Sequence, residues 1–169
     1  MLNSRPLPFD AIAEARRQWE AHGWPGAQAM AAVTSIMRAQ QIVLARVDAA
    51  LRPFDLTFAR YEALVLLSFS RNGALPLGKM GDRLMLHPTS ITNIIDRLED
   101  QGLVRRASHP TDRRTTLAEI TDEGRKVVGA ATEATSAIAL GMGNLSGGEL
   151  DRITDLLRQL RVDAGDFPE

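Results

Sequence analysis

The stretch from residue 87 to residue 124, "HPTSITNIIDRLEDQGLVRRASHPTDRRTTLAEITDEG", changes periodicity partway along. Ile91, Ile94, Ile95 and Leu98 fall at i, i+3, i+4 and i+7, the single apolar stripe of an amphipathic helix. Pro88 suits the first helical position and Gly102 the position just past the end, so a helix is expected over about 88–101. Then "LVRRAS" and "TTLAEI" flank a short loop carrying His109, Pro110, Thr111 and Asp112, which reads as a two-stranded hairpin with arginines at its tip.

Upstream, two more short helices are expected over about 57–70 and 76–84, joined by the turn-forming stretches "RNGA" and "MLHP". Before them a long helix spans 27–51 and is closed by Pro53. Its Met30, Val33, Met37, Gln40, Leu44, Val47 and Leu51 alternate spacings of three and four, a seam interrupted once by Gln40. Such a narrow seam requires a partner helix, and a neighbour in the same chain satisfies the spacing as well as a second copy does. A shorter amphipathic helix over 8–22 ends at "GWPG". Downstream, a helical segment over about 121–141 is followed by a last helix over about 146–161. There Ser146-Gly147-Gly148-Glu149 matches a capping box, and Leu150, Ile153, Leu157 and Leu160 form the stripe.

Composition sets the outer limits. The chain has 169 residues, 44% apolar and 24% charged, enough for one ordinary core with an added helical layer. Aromatic residues make up only 5%, which favours helices over a β-sandwich. The net charge of -1 gives no global sign of a nucleic-acid partner, so local charge has to carry that argument. Between Gln101 and Ala118, Arg105, Arg106, Arg113 and Arg114 face a single acid, Asp112. With no cysteine, disulfides and thiolate chemistry within the chain are excluded. No apolar run approaches the roughly 20 residues of a membrane span, so no membrane partner and a cytoplasmic location are expected.

The face of helix 88–101 opposite its apolar stripe begins with Thr89, Ser90, Thr92 and Asn93 and continues to Arg97. Short hydroxyl and amide side chains reach base edges and phosphates from a helix lying in a major groove. Glu99 and Asp100 sit at the far end, where they would repel phosphate, so only the leading half can face DNA. Taken alone, the same helix is explained equally well by a solvated polar face. The order of parts adds weight: two helices, a short turn, a third helix with a polar leading face, then a basic-tipped hairpin. That order is a winged helix-turn-helix, in which the helix enters the major groove and the hairpin reaches the adjacent minor groove. The expected fold is therefore mainly α with a small β-hairpin wing, flanked by N- and C-terminal helices. A second reading is a winged helix used for protein–protein association, with the hairpin on an acidic partner.

The quoted stretch resembles the core of the MarR family of bacterial transcriptional regulators. That family's Asp-x-Arg wing motif is matched by Asp112 and Arg114, and the resemblance is dense from about Leu56 to Gly124. It implies a homodimer joined through residues 1–53 and 121–169, with residues 54–120 as the DNA-binding winged helix. It also implies a pseudo-palindromic duplex operator, a repressor role and a small-molecule effector of unknown identity. Met30, Val33, Met37, Leu44, Leu150, Ile153, Leu157 and Leu160 become dimerisation candidates. Pro88, Thr89, Ser90, Thr92, Asn93 and Arg97 become the recognition-helix set, with Arg114 as the groove reader. Asp112 is expected to buttress the loop by accepting from an arginine across the tip, and Arg113 to neutralise phosphate. Strand alternation sends Arg105 and Arg106 to opposite faces, so at most one need face DNA and the other is expected to pair with an acid. Lys79 and His87 are candidates for phosphate contact.

Other motifs were weighed and set aside. "GALPLGKM" at 73–80 fits G-x4-G-K, but Met80 stands where a phosphate loop needs Ser or Thr, and a helix is expected before it rather than a strand. "LSGGE" at 145–149 is similar to the signature loop of ABC transporter ATPases, but without a Walker motif the capping box explains it. His22, His87 and His109 lack metal-site spacing, no catalytic set has supporting context, and neither cofactor, metal nor enzyme activity is expected. Urate-binding MarR relatives carry an N-terminal helix with a tryptophan, an acid matched here by Glu62, and an arginine where this chain has Ile94. Trp19 is expected instead to pack the extra helix onto the dimer.

Overall fold

The computed structural model describes residues 7–112 and 114–167. Along these residues run α1 (Ala11–Ala21), α2 (Ala27–Leu51), α3 (Phe58–Phe69), β1 (Ala74–Pro76), α4 (Leu77–Leu84), α5 (Pro88–Asp100), β2 (Val104–Ser108), β3 (Thr116–Ile120), α6 (Asp122–Ala137) and α7 (Gly147–Asp163). The architecture is mainly helical, with one small antiparallel sheet.

The sheet has three strands in the order β1-β3-β2 rather than the two expected. β1 pairs with β3 through Ala74↔Glu119, Leu75↔Ala118 and Pro76↔Leu117. A three-residue strand offers no alternation to read. Its proline, normally evidence against a strand, is tolerated because β1 lies at the sheet edge. The lysine of "GALPLGKM" thus lies on α4, just beyond an edge strand.

One core holds the centre together. Leu51 from the end of α2, Leu64 and Leu67 from α3, Met80 from α4, and Ile91, Ile95 and Leu98 from α5 are fully buried. Val104, Ala118 and Ile120 from the sheet and Val128 and Ala131 from α6 close it. Ile94, the fourth residue of the α5 stripe, is partly buried against the same cluster.

Helix ends fix how these parts meet. The Phe58 amide donates to Asp48 Oδ1 at 2.9 Å, tying α3 to α2. At the end of α5 the Leu103 amide donates to the Leu98 carbonyl (2.9 Å) and the Gly102 amide to the Glu99 carbonyl (2.8 Å). This is a Schellman closure, and it needs the left-handed φ of +71° that Gly102 adopts. It turns the chain directly from α5 into β2. Thr121 joins the wing's exit to α6: its hydroxyl donates to the Gly102 carbonyl at 2.8 Å and accepts from the Gly124 amide at 3.0 Å. A Cβ on Gly124 would lie 2.1 Å from the Leu103 carbonyl oxygen, so only glycine allows α6 to start this close to the α5–β2 turn.

The outer helices behave differently. α6 ends at Ala137 rather than continuing to Gly141, because Ala139 and Leu140 take positive φ values of 45° and 50° and form a tight 3₁₀ turn. Arg46 of α2 holds that turn by donating to the Gly141 carbonyl at 2.7 Å. The α2 seam divides in two: Val47 and Leu51 enter the core, Met30 is half-buried, and Val33, Met37 and Leu44 are exposed. On α7, which does carry the capping box at Ser146 and Glu149, no residue is buried; Leu150 and Ile153 are half-buried, and Leu157 and Leu160 are exposed. Trp19 braces its own turn, its Nε1 donating to the Pro25 carbonyl at 2.9 Å and its ring meeting Trp24 edge-on at 5.1 Å.

Candidate nucleic-acid interface

α4 and α5 form the helix-turn-helix. Between them Met85 adopts a left-handed φ of 55°, and the Leu86 amide closes the turn onto the Gly81 carbonyl at 3.0 Å. His87 caps α5, its Nδ1 accepting from the Thr89 amide at 3.3 Å. In the neutral ring this places the proton on Nε2. His87 is thus a structural cap as well as an exposed residue, and Lys79 on α4 is also exposed.

Burial of Ile91, Ile95 and Leu98 turns the other side of α5 to solvent. Pro88, Thr89, Ser90, Thr92, Asn93 and Arg97 are all exposed. Thr92 donates its hydroxyl hydrogen to the Pro88 carbonyl at 3.1 Å, which leaves its oxygen available as an acceptor. Arg97 is held only loosely, 3.9 Å from Asp100, so its guanidinium is free to choose another partner.

Two acids in the second half of α5, Asp96 and Glu99, are tied to the wing. Arg106 reaches Asp96 Oδ1 at 2.5 Å and also pairs with Glu99, while its backbone amide donates to Glu99 Oε1 at 3.0 Å. The hydrogen bond to Asp96, with Glu99 beside it, pushes the Arg106 guanidinium above its ordinary pKa. Asp96 and Glu99 are therefore partners of β2, and the single Arg106 guanidinium offsets one of their two negative charges. The i, i+3 spacing of Asp96 and Glu99, shortly before a strand that carries Arg105 and Arg106, is the sequence signal that marks this clamp.

Arg105 faces the other way and is also engaged. It sits opposite Glu119 in the β2–β3 register and grips both carboxylate oxygens, at 3.1 and 2.8 Å. That bidentate bond holds Glu119 below the usual carboxylate range. Both base arginines are paired with acids, whereas the sequence required this of only one.

At the tip, the partners of Asp112 among the described residues are a backbone amide and a hydroxyl. Its carboxylate accepts from the Arg114 backbone amide at 3.0 Å and from the Thr115 hydroxyl at 2.7 Å. These bonds, the Thr115 hydroxyl first, hold the Asp112 carboxyl below its ordinary pKa. The Thr115 amide closes the turn onto the Asp112 carbonyl at 3.0 Å. Arg114 is exposed at this tip, and no ion pair engages it among the described residues. Arg113 lies outside the described residues.

No group of three or more His, Cys, Asp or Glu suited to a metal occurs among the described residues. No helix there is long and apolar enough to cross a membrane. A second concave feature lies away from α5: a cleft of about 870 Å³ between α2, α3 and the 3₁₀ turn after α6.

A helix-turn-helix with an uncharged leading face on its second helix, beside a basic-tipped hairpin wing, defines the winged-helix class of DNA-binding proteins. Comparison with known proteins narrows the class. The MarR family model matches residues 56–116. The HTH-type transcriptional regulator MhqR of Bacillus subtilis is 33% identical over 111 residues, 63% of this chain and 74% of that protein. Sco5413, a MarR family transcriptional regulator from Streptomyces coelicolor, is 56% identical in its crystal structure, with a TM-score of 0.78 over 85% of this chain and 100% of that one. Sco3205 from the same organism, solved in complex with DNA, shares the fold at 23% identity, with a TM-score of 0.73 over 86% of this chain and 96% of that one. The chain belongs to the MarR family, and the relatives named here are transcriptional regulators rather than enzymes.

Proposed function

We propose that the protein is a homodimeric, sequence-specific repressor that binds a pseudo-palindromic duplex operator and releases it in response to a small molecule. The observation that carries this reading is the exposed, uncharged leading face of α5, with Thr89, Ser90, Thr92 and Asn93 pointing away from the core while Asp96 and Glu99 behind them are clamped by Arg106. Pro88 and Arg97 flank that face. Residues 54–120 act as the DNA-binding unit, in the cytoplasm with the chromosome.

Arg114 is assigned to the minor groove, where negative potential favours arginine. Asp112 holds the loop so that Arg114 arrives already oriented. Arg113, Lys79 and His87 are assigned to phosphate. Residues 1–53 and 121–169 supply the dimer, through Met30, Val33, Met37 and Leu44 and through Leu150, Ile153, Leu157 and Leu160. The support is the exposure of most of these side chains in a single chain; an apolar seam left facing water calls for a partner. The effector would occupy the cleft between α2 and α3 and favour a half-site spacing that no longer fits B-DNA.

A gel shift on the gene's own promoter region across a salt series tests the DNA reading. Phosphate contacts impose a steep loss of affinity with salt. A slope near zero would instead favour a winged helix used for binding an acidic protein.

A further inference from the structure

The cleft between α2 and α3 has a one-sided chemistry. Three aromatic rings, Phe58, Tyr61 and Phe69, line it together with aliphatic side chains, and among the described residues its only charged lining residues are the acids Asp48 and Glu62. No lysine, arginine or histidine among the described residues lines it. Asp48 commits one oxygen to the Phe58 amide. No ion pair engages Glu62 among the described residues. Ile94, where a urate-type site would place an arginine, packs against the core and supplies no cation.

We infer that this cleft selects a lipophilic cation, held by the faces of Phe58, Tyr61 and Phe69 and by the carboxylates of Glu62 and Asp48, and rejects anionic aromatic ligands of the same shape. The inference rests on the proposal that the cleft is the effector site, and it names the ligand class. Aromatic faces attract cations through the ring quadrupole, and the attraction grows as water is excluded. An anion entering the same space would lose hydration and meet two carboxylates with no counter-charge. Burial alone pushes the Glu62 carboxyl above the usual carboxylate range, which fits a group whose cationic partner is not supplied by this chain.

Tetraphenylphosphonium and tetraphenylborate have nearly the same size and shape and opposite charge, so they isolate the electrostatic term. Calorimetric titration of the full chain with each, without DNA, gives the affinity ratio. The expected result is a preference for the phosphonium that falls about tenfold in Glu62→Gln, the effect of one partly screened carboxylate. Phe69 is 82% exposed, so Phe69→Lys leaves the core intact and should lower phosphonium affinity while raising that of the borate. Equal binding of the two ions, or a ratio unmoved by both variants, would overturn the inference. Binding of neither ion would also overturn it and would indicate that a second copy covers the cleft. Selective phosphonium binding that leaves operator affinity unchanged would uphold the ligand class and remove the effector role, so the two readings fail separately.

Discussion

The base and the tip of the wing carry the same residue type and use it in opposite ways. At the base, Arg106 is half-buried against Asp96 and Glu99 of the recognition helix, and Arg105 is closed onto Glu119 across the sheet. At the tip, Asp112 bonds to the Arg114 backbone and to Thr115, and Arg114 is exposed. Positive charge in a hairpin is therefore a poor guide to DNA contact until its partners are known. A base arginine sets where the wing stands relative to α5; a tip arginine is presented.

That contrast can be broken experimentally, and the largest effect should come from the tip. Arg114→Ala is expected to cost about 1–3 kcal/mol of operator affinity at fixed salt, the range for a lost base-edge arginine, with no change in unfolding. Fluorescence anisotropy against a denaturation curve checks both halves, and unchanged affinity would remove the wing from the mechanism. Arg106→Ala should invert the pattern. It strands two carboxylates on a partly buried surface and should destabilise the fold by about 1–2 kcal/mol, between the exposed and buried limits for ion pairs. Operator binding should weaken as well, because Asp96 and Glu99 regain their repulsion. A variant with wild-type stability would show that the clamp is incidental.

Asp112→Ala should lower operator affinity by less than Arg114→Ala, through loss of loop order. The folded pKa of Asp112 lies below its ordinary value of 3.8. Its contribution is then present above that value and lost only as pH falls through the lowered one. Loop order, followed by exchange of the Arg114 amide, should thus be level from about pH 8 to about pH 5 once intrinsic exchange rates are divided out. A midpoint inside that window would contradict the bonding described. The smallest effect is expected of Arg105→Ala, an exposed cross-strand pair whose loss should leave both unfolding and operator affinity near wild type.

The parts legible in the sequence were those where one periodic pattern met a clear boundary. The α5 stripe, Pro88 at its start and Gly102 at its end located that helix to within a residue, and alternation located β2 and β3. What escaped was set by tertiary pairing. β1 is too short to alternate and exists because β3 has an open edge. The break after Ala137 depends on two non-glycine residues in the left-handed region, which no breaker residue announces. The bonds of Asp112 to the Arg114 amide and the Thr115 hydroxyl were not read from the sequence, because a carboxylate near arginines suggests a side-chain pair before a backbone one. The division of the α2 seam was invisible because spacing records that a face is apolar and not what covers it.

The central claim is that a dimer reads DNA sequence through the leading face of α5 and the tip of the wing. Selection of bound sequences from a random duplex pool tests it most directly. The account predicts a recovered palindrome whose half-sites lie about one helical turn apart, so that two copies of α5 enter successive major grooves on one side of the duplex. Recovery of no shared sequence, or of a single unrepeated half-site, would contradict it.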